Sequence, residues 1–267
     1  MRIIVNGKDR EGPWKTAYEV PAVSPKGEFI RILNGFQIEK DIPLKEGDIL
    51  TVIPKGTMPD ERELESMMAA RHTPHVHERV KKAKVGLAGL GGLGSHIAVM
   101  LARTGIGRLV CVDFDEVEPS NLNRQSYFIR DLGRPKAEAL AQQIGEINPF
   151  ITVEPSTARV TAENAADLFA GCDIVCEAFD DPKQKAMLVN TILDQLPGVK
   201  VIAASGMAGY DSSNQIQTKK VMQNLYLCGD FTNEARIGNG LMAPRVEICA
   251  GHQANMVLRL LMGIADT

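Results

Sequence analysis

A glycine-rich stretch, AGLGGLGSH at residues 88–96, constrains the fold of this chain more than any other feature. An apolar run, KVGLAG, leads into it, and a helical pattern, SHIAVMLARTG, follows it. Gly89, Gly91 and Gly94 match the spacing GxGxxG, and Gly92 adds a fourth glycine. Glycine lets the backbone turn tightly before a helix, whose free N–H groups attract a phosphate. The stretch therefore predicts a nucleotide site, although it does not choose between NAD and ATP.

Strand and helix patterns alternate from Lys84 onward. Such alternation predicts an α/β fold with a Rossmann-like, mostly parallel sheet and helices on both faces. Ligands in this architecture bind beyond the carboxyl ends of the strands. After SGMAGYDSSNQIQTKK we expect a loop-rich section up to Pro244 and then a closing helix. The expected strands are KVGLAG, RLVCVDFD, ITVEPS, DIVCEAF and KVIAAS, and the expected helices cover about residues 93–105, 135–147, 163–170 and 182–196.

The first 57 residues follow a different pattern, in which short apolar runs are joined by tight turns. Asn6-Gly7 and Asn34-Gly35 each separate two strand-like runs, which is the signal of a β-hairpin. The run KEGDILTVIP adds a further strand. The expected domains are a small β-rich domain at residues 1–57, a linker or helical arm at residues 58–83, and a nucleotide-binding domain at residues 84–267.

Composition narrows the classes of function. A net charge of −3 over 267 residues, without a basic half, argues against nucleic acid as a partner. No apolar run is long enough to span a membrane, and the N-terminus lacks the pattern of a signal peptide. Five cysteines without paired CxxC motifs are typical of a cytoplasmic protein with reduced thiols and no structural zinc. We interpret His72, His75 and His77 as surface polar residues rather than metal ligands.

Charged residues after the second strand of the α/β region favour ATP over NAD. Asp113 ends that strand, 24 residues after Gly89, where a carboxylate can accept hydrogen bonds from ribose hydroxyls. The polar loop DFDEVEPSNLNRQ then replaces the helix of an ordinary dinucleotide-binding domain. Lys136 lies at the electropositive start of the helix in GRPKAEAL, which suits an anion ligand better than a structural lysine. Arg124 and Lys136 together suit a polyphosphate, although either residue alone would be interpreted as a solvated surface charge.

Two adjacent carboxylates follow the strand DIVCEAF. Asp180 and Asp181 reach the same edge of the predicted sheet, and carboxylates beside a triphosphate are typical ligands of Mg²⁺. The sequence DDPK also favours a helix N-cap, a role that fits Asp181 better. We therefore expect Asp180 to bind Mg²⁺ in an ATP site.

Four of these segments together resemble one family. GLGGLGS, DFDEVEPSNLNRQ, GRPKAEAL and EAFDD are similar to the E1-type adenylating enzymes. Among these, the chain resembles the ThiF-like adenylyltransferases of the E1/MoeB/ThiF superfamily, which act on the sulfur carrier ThiS. The tail sequences YLCGD and LMAPRVEICAGHQAN resemble a shorter ThiF subgroup. The resemblance covers about residues 65–264, and its motifs recur in the expected order.

The resemblance implies an enzyme that uses ATP and Mg²⁺ to convert the C-terminal glycine carboxylate of a ubiquitin-like sulfur carrier into an acyl-adenylate, in thiamine thiazole synthesis or a related sulfur transfer. It implies that Arg124 and Lys136 stabilise charge as pyrophosphate leaves. It also implies a homodimer, because Arg71 in MMAARH matches an arginine that the family's partner subunit supplies. The residues implied to bind the nucleotide and its metal are Gly89, Gly91, Gly92, Gly94, Asp113, Ser120, Asn121, Leu122, Asn123, Arg124, Lys136, Asp180 and Asp181.

The cysteines depart from the pattern of many family members, which hold zinc with two CxxC pairs. Some members also use a cysteine for covalent sulfur transfer. Cys228, in the expected loop LYLCGDFTN, is the candidate for that step with a sulfur donor protein, and a buried, inert thiol is the alternative. The cysteines that we expect in the core are Cys111, Cys172, Cys176 and Cys249.

The N-terminal runs IIVNG, ILNG and EGDILTVIPKG resemble the β-grasp sulfur carrier itself, fused in front of its own enzyme. A working carrier ends in a free Gly-Gly carboxylate, whereas here Gly56 continues into Thr57. We therefore expect a docking or structural module that is not itself adenylated.

Two other functions stay open on the sequence. An NAD(P)-dependent oxidoreductase would use the glycines and Asp113, but it leaves Arg124, Lys136 and Asp180 without a role. It also lacks an obvious catalytic His/Lys or Tyr/Lys pair. A non-catalytic scaffold, with the β-grasp domain docked in the carrier groove, is favoured by the missing zinc pairs and opposed by the intact nucleotide residues.

Overall fold

The computed structural model describes residues 1–22, 28–56 and 58–267. These residues form two compact units, Met1–Glu78 and Arg79–Thr267, each with its own β-sheet. Thr57, the end of the expected N-terminal domain, lies outside the described residues. Residues 58–78, which we expected in the linker, group with the first unit, and residues 79–83 group with the second.

The sheet of the first unit has five strands in the order β2-β1-β5-β3-β4, in which only β1 and β5 are parallel neighbours. Both expected hairpin turns are confirmed. Asn6 and Gly7 have φ of 47° and 75°, and Asn34 and Gly35 have φ of 51° and 92°. Two successive positive φ values define the tight turn that Asn-Gly favours. The strands are Arg2–Val5 (β1), Lys8–Glu11 (β2), Phe29–Leu33 (β3), Phe36–Gln37 (β4) and Ile49–Pro54 (β5).

Helix α1, Glu61–Met68, is part of the first unit and packs against β5. It begins at Asp60, whose carboxylate accepts from the Glu63 backbone N–H. The buried Glu63 carboxylate in turn accepts from Asn6 Nδ2 at 3.4 Å and from Lys8 Nζ at 3.3 Å. These bonds tie the helix to the first hairpin, which explains why the expected arm groups with the β domain.

The sheet of the second unit has seven strands in the order β11-β12-β10-β9-β6-β7-β8. Only β11 runs antiparallel to its neighbour, so the expected mostly parallel sheet is confirmed. The loop-rich section expected after SGMAGYDSSNQIQTKK is wrong in part, because it contains the end of β11 and all of β12. The strands are Lys84–Ala88 (β6), Arg108–Val112 (β7), Thr152–Ser156 (β8), Ile174–Glu177 (β9), Lys200–Ala204 (β10), Gln217–Met222 (β11) and Leu225–Gly229 (β12).

Helices cover this sheet in two groups, one made of α3, α4 and α7 and the other of α5 and α6. The helix expected over 163–170 is only one turn long. Within the parts of the chain that the structure describes, no helix is long and apolar enough to cross a membrane. The remaining helices are Val76–Val80 (α2), Gly92–Thr104 (α3), Lys136–Ile147 (α4), Ala165–Leu168 (α5), Pro182–Gln195 (α6) and Ala243–Leu261 (α7).

The strand order reverses at β6. The chain continues from β6 to β7 and β8 on one side, whereas β9, β10 and β12 lie on the other. The carboxyl ends of these parallel strands share one edge, and the crevice at such a reversal is where doubly wound sheets bind ligands. The glycine stretch follows β6, so it lies at this point.

Candidate functional site

The glycine turn connects β6 to α3, and its glycines have different physical roles. Gly89 has a φ of 86°, a conformation that other residues rarely adopt. A Cβ on Gly94 would lie 1.9 Å from the Gly89 carbonyl oxygen, so the first turn of α3 packs directly on the loop. Around Gly91, the N-cap of α3, the only atom within 4 Å of such a Cβ among the described residues is Gln125 Nε2, at 3.7 Å. A Cβ at Gly91 would therefore meet no close contact at the start of the helix.

Asp113, just beyond β7, connects this strand to the glycine turn. Its Oδ2 accepts from the Leu90 N–H at 2.6 Å, and its Oδ1 accepts from the Asp115 N–H at 2.9 Å. The residue is only 8% exposed. Burial raises the pKa of Asp113, and the two backbone donors and Lys136 only partly oppose this rise. Each carboxylate oxygen keeps a second lone pair that could accept from a ribose hydroxyl.

Lys136 is the first residue of α4, as the sequence predicts. Its Nζ donates to Asp115 Oδ2 at 2.9 Å, and its side chain is almost fully buried. A cation at a helix start meets the positive end of the helix dipole, so the nearby carboxylates are needed to hold it there. The Tyr127 hydroxyl donates to the Leu90 carbonyl at 2.9 Å. This bond joins the loop that precedes α4 to the glycine turn. Asp115 thus connects Lys136 to Asp113, which bonds to the glycine turn.

The polar loop at 120–124 lies against the start of α3. His96 Nε2 is 3.1 Å from the Arg124 carbonyl oxygen. The Arg124 Nη1 donates to the Ser120 carbonyl at 3.1 Å and to Asn123 Oδ1 at 2.9 Å. The buried Asn121 accepts from the Glu118 N–H at 3.0 Å, and Leu122 follows it at the end of a short 3-10 helix. Internal bonds therefore hold this loop in shape and keep a guanidinium at its partly exposed end.

Asp180 and Asp181 follow β9 at the same edge of the sheet. Asp181 caps α6, because its Oδ1 accepts from the N–H groups of Lys183 and Gln184, both at 2.9 Å. Asp180 is exposed, and its carboxylate has no hydrogen-bond or ion-pair partner among the described residues. Mg²⁺ binds through one or two carboxylates together with phosphates and waters, so a free carboxylate at this place fits it.

The structure corrects the prediction for Cys228. This residue lies within β12 and is fully buried, not in a loop. Burial raises the pKa of its thiol to about 11, although a hydrogen bond with Thr218 lowers it. Such a thiol carries little thiolate at neutral pH, which fits the inert alternative. The other four cysteines are buried as expected.

Arg71 and the three clustered histidines belong to the first unit. The Arg71 guanidinium donates to Gln37 Oε1 at 2.8 Å. His75 and His77 lie 3.5 Å and 3.3 Å from glutamate oxygens of the same unit. Nowhere in residues 1–22, 28–56 and 58–267 do three or more His, Cys, Asp or Glu side chains come together as a metal site.

Two ion pairs with buried carboxylates, at the carboxyl edge of the sheet, were not predicted from the sequence. Glu177, the last residue of β9, pairs with Lys185 of α6, and Asp230, after β12, pairs with Arg245 of α7. The available signal was an acidic residue at the end of an apolar strand, in DIVCE and LYLCGD. Nothing in the local pattern indicated which cation would meet it.

The fold and this edge define a class of protein: a Rossmann-like nucleotide-binding domain preceded by a small β domain. The chain belongs to the ThiF family, whose model matches residues 64–267. A second model, that of ThiS-like ubiquitin, matches residues 1–56. The family resemblance of the sequence motifs is thereby confirmed for both parts of the chain.

The chain is similar to known relatives over part of its length. The chain is 30% identical over 197 residues to the adenylyltransferase and sulfurtransferase UBA4 of Yarrowia lipolytica, covering 69% of this chain and 47% of that protein. It therefore spans about half the length of this relative. It is 31% identical over 192 residues to the sulfur carrier protein ThiS adenylyltransferase of Escherichia coli, covering 70% and 75% of the two chains.

A solved structure supports the fold. The tRNA N6-threonylcarbamoyladenosine dehydratase TcdA of E. coli, determined in complex with ATP, matches with a TM-score of 0.69 at 23% identity. The match covers 78% of this chain and 98% of that one.

Proposed function

We propose that this protein is an ATP-dependent adenylyltransferase that activates the C-terminal glycine carboxylate of a ubiquitin-like, ThiS-like sulfur carrier, with release of pyrophosphate. The observation that carries the proposal is the convergence of Asp113, Lys136 and the Arg124 loop on one glycine turn. The names of the relatives support the same activity, since both the yeast and the bacterial protein are called adenylyltransferases.

Each residue receives a role that follows from its position. The turn at Gly89, Gly91, Gly92 and Gly94 would cradle phosphates at the start of α3, and Asp113 would bond the ribose. The nucleotide would be lined by Ser120, Asn121, Leu122 and Asn123. Lys136 already faces a carboxylate at 2.9 Å and would exchange part of that interaction for a phosphate.

Asp180 would hold Mg²⁺, with the capping residue Asp181 beside it. When bound, Mg²⁺ neutralises charge on the phosphates. The attacking group is already a carboxylate, so the reaction needs no general base. Catalysis then depends on the in-line position of the carboxylate and on Arg124 and Lys136, which stabilise charge as the α-phosphorus bond to pyrophosphate breaks.

We also propose a homodimer in which a second copy of the chain supplies Arg71, and a division of the chain at residues 1–57, 58–83 and 84–267. The first domain is proposed as a docking or structural module. In its support, Gly56 continues into a segment that folds back on the first hairpin through Glu63. Mass spectrometry that found an adenylate or thiocarboxylate on a fragment ending near Gly56 would contradict this.

The test of the activity is ATP–pyrophosphate exchange with candidate sulfur carriers, with and without Mg²⁺. We expect Mg²⁺-dependent exchange with a carrier that ends in Gly-Gly and none with the same carrier lacking its last glycine. Absence of exchange with every carrier, together with tight NADH binding, would favour the oxidoreductase. ATP binding without any exchange would favour the scaffold.

A further inference from the structure

A buried ion pair supports the segment that carries Asp180. Glu177 is fully buried at the end of β9. Its two carboxylate oxygens accept from Lys185 Nζ of α6 at 3.1 Å and 2.9 Å. One of them also accepts from the Phe179 N–H at 2.6 Å. A single side chain therefore joins the end of β9, the backbone N–H of Phe179 and α6.

The segment that this pair holds also forms one wall of the glycine turn. The Ala178 N–H donates to the Ala88 carbonyl at 2.9 Å. A Cβ on Gly89 would lie 3.0 Å from the Ala178 carbonyl oxygen and 3.0 Å from Phe179 Cδ1. Movement of residues 178–180 would therefore displace the turn as well as the Asp180 carboxylate.

Stability alone does not account for an ion pair at this place. The desolvation penalty of a buried carboxylate and ammonium offsets much of the free energy of their attraction. Apolar residues of similar volume often stabilise a protein as well as a buried ion pair does. The rest of β9 is apolar, so an apolar residue at position 177 would match its surroundings. An apolar residue cannot accept a hydrogen bond from the Phe179 N–H, and it cannot bind the Lys185 ammonium.

We propose that Glu177 and Lys185 form a positioning pair that fixes residues 178–180 against the glycine turn, so that the Asp180 carboxylate and the start of α3 keep one common geometry. The inference that this geometry serves to hold a phosphate-bound cation rests on the proposed function. The inference that the pair restrains the backbone does not.

The backbone claim is tested by hydrogen exchange on the full-length protein. In Glu177→Gln and Lys185→Met, we expect amide exchange in peptides covering 178–181 and 89–92 to become at least about tenfold faster, while peptides from β7 and β8 stay unchanged. Lys185→Arg keeps the charge and should exchange like the wild type. The matched control is Glu154→Gln, which breaks a Glu–Lys pair of 3.2 Å with Lys84, at the amino end of β6. Unchanged exchange at 178–181 in both Glu177→Gln and Lys185→Met would overturn the proposal.

A second readout addresses the purpose of the geometry. In ATP–pyrophosphate exchange, Glu177→Gln should need about tenfold more Mg²⁺ for half-maximal rate, with a KM for ATP within about twofold of the wild-type value at saturating Mg²⁺. A general loss of structure would lower the rate without shifting the Mg²⁺ midpoint. A wild-type midpoint in Glu177→Gln would overturn the cation-holding purpose. If the wild-type protein itself shows no exchange, the proposed function fails, and hydrogen exchange still decides whether the pair positions the segment.

Discussion

The two units differ in how many charged side chains they bury. In the first unit, Asn6 donates to and accepts from the backbone of Val52, at 3.3 Å and 2.8 Å, and Glu63 ties α1 to the first hairpin. These contacts satisfy polar groups of the first hairpin turn and of α1. Among the described residues, Glu63 is the one buried charged side chain of the first unit, whereas the second unit buries several. Lys136, Glu177 and Arg245 are among these, and they lie where strands end or helices begin.

The difference indicates where function lies. Every level of the first unit, from turn residues to core, favours the same small sheet. The second unit places costly charges along a single edge of its sheet. Proteins tend to break local rules at functional sites, so this concentration of buried charge marks the carboxyl edge.

The largest expected effect is on the free energy of unfolding when a buried ion pair of the second unit is broken. Arg245→Met leaves the Asp230 carboxylate buried without its cation, and we expect a loss of about 3–5 kcal/mol in the free energy of unfolding of the second unit. Lys8→Met removes the cation that pairs with Glu63 in the first unit. Because this lysine is 41% exposed and Asn6 Nδ2 still donates to the carboxylate, the change should cost no more than about 1 kcal/mol. Denaturant unfolding measures both variants, and equal losses would contradict the contrast between the units.

The next effect is on activity. Lys136→Ala should lower ATP–pyrophosphate exchange by about 10²–10³-fold, because it removes a charge aimed at the transferring phosphates. Its melting temperature should change little, since the abandoned Asp115 is half exposed and remains solvated. Lys82→Ala, on an exposed lysine of the same unit, is the matched control. Full-rate exchange by Lys136→Ala would refute the assigned role.

A smaller effect separates the glycines by role. Gly94→Ala forces a Cβ against the Gly89 carbonyl and should destabilise the second unit by about 1–3 kcal/mol. Gly91→Ala places a Cβ at an ordinary contact distance of 3.7 Å from Gln125 Nε2, so it should melt like the wild type but bind ATP more weakly. Thermal unfolding and calorimetric titration with ATP distinguish the two. The reverse order of stabilities would mean that the turn is packed differently.

The smallest expected effect concerns Cys228, whose thiol should react very slowly in the folded protein. Because burial raises the pKa of this thiol to about 11, the protonated form dominates at neutral pH, and thiolate appears only as the pH approaches that value. Iodoacetamide at pH 8 should alkylate Cys228 much more slowly than it alkylates the same residue in the denatured chain. Rapid alkylation in the folded protein would restore it as a candidate for sulfur transfer.

Features that depend on residues close together in the chain could be predicted from the sequence. The Asn-Gly turns, the glycine turn and the start of α4 each depend on residues that are adjacent in the chain. The strands β11 and β12 were missed because KKVMQNLYLCGD mixes charged and apolar residues without the alternation of a half-buried strand. The two buried ion pairs were missed because each joins a strand end to a helix, and only tertiary packing brings Lys185 and Arg245 to their carboxylates.

The most direct test of the central claim is intact-mass spectrometry of a ThiS-like carrier incubated with this protein, ATP and Mg²⁺. Trapping the product in the cold with pyrophosphatase present should reveal a carrier heavier by one adenylyl group. The increase should be absent with Asp180→Ala and with a carrier that lacks its last glycine. An unmodified carrier, under conditions in which the protein demonstrably binds ATP, would contradict the assignment of this edge to carboxylate activation.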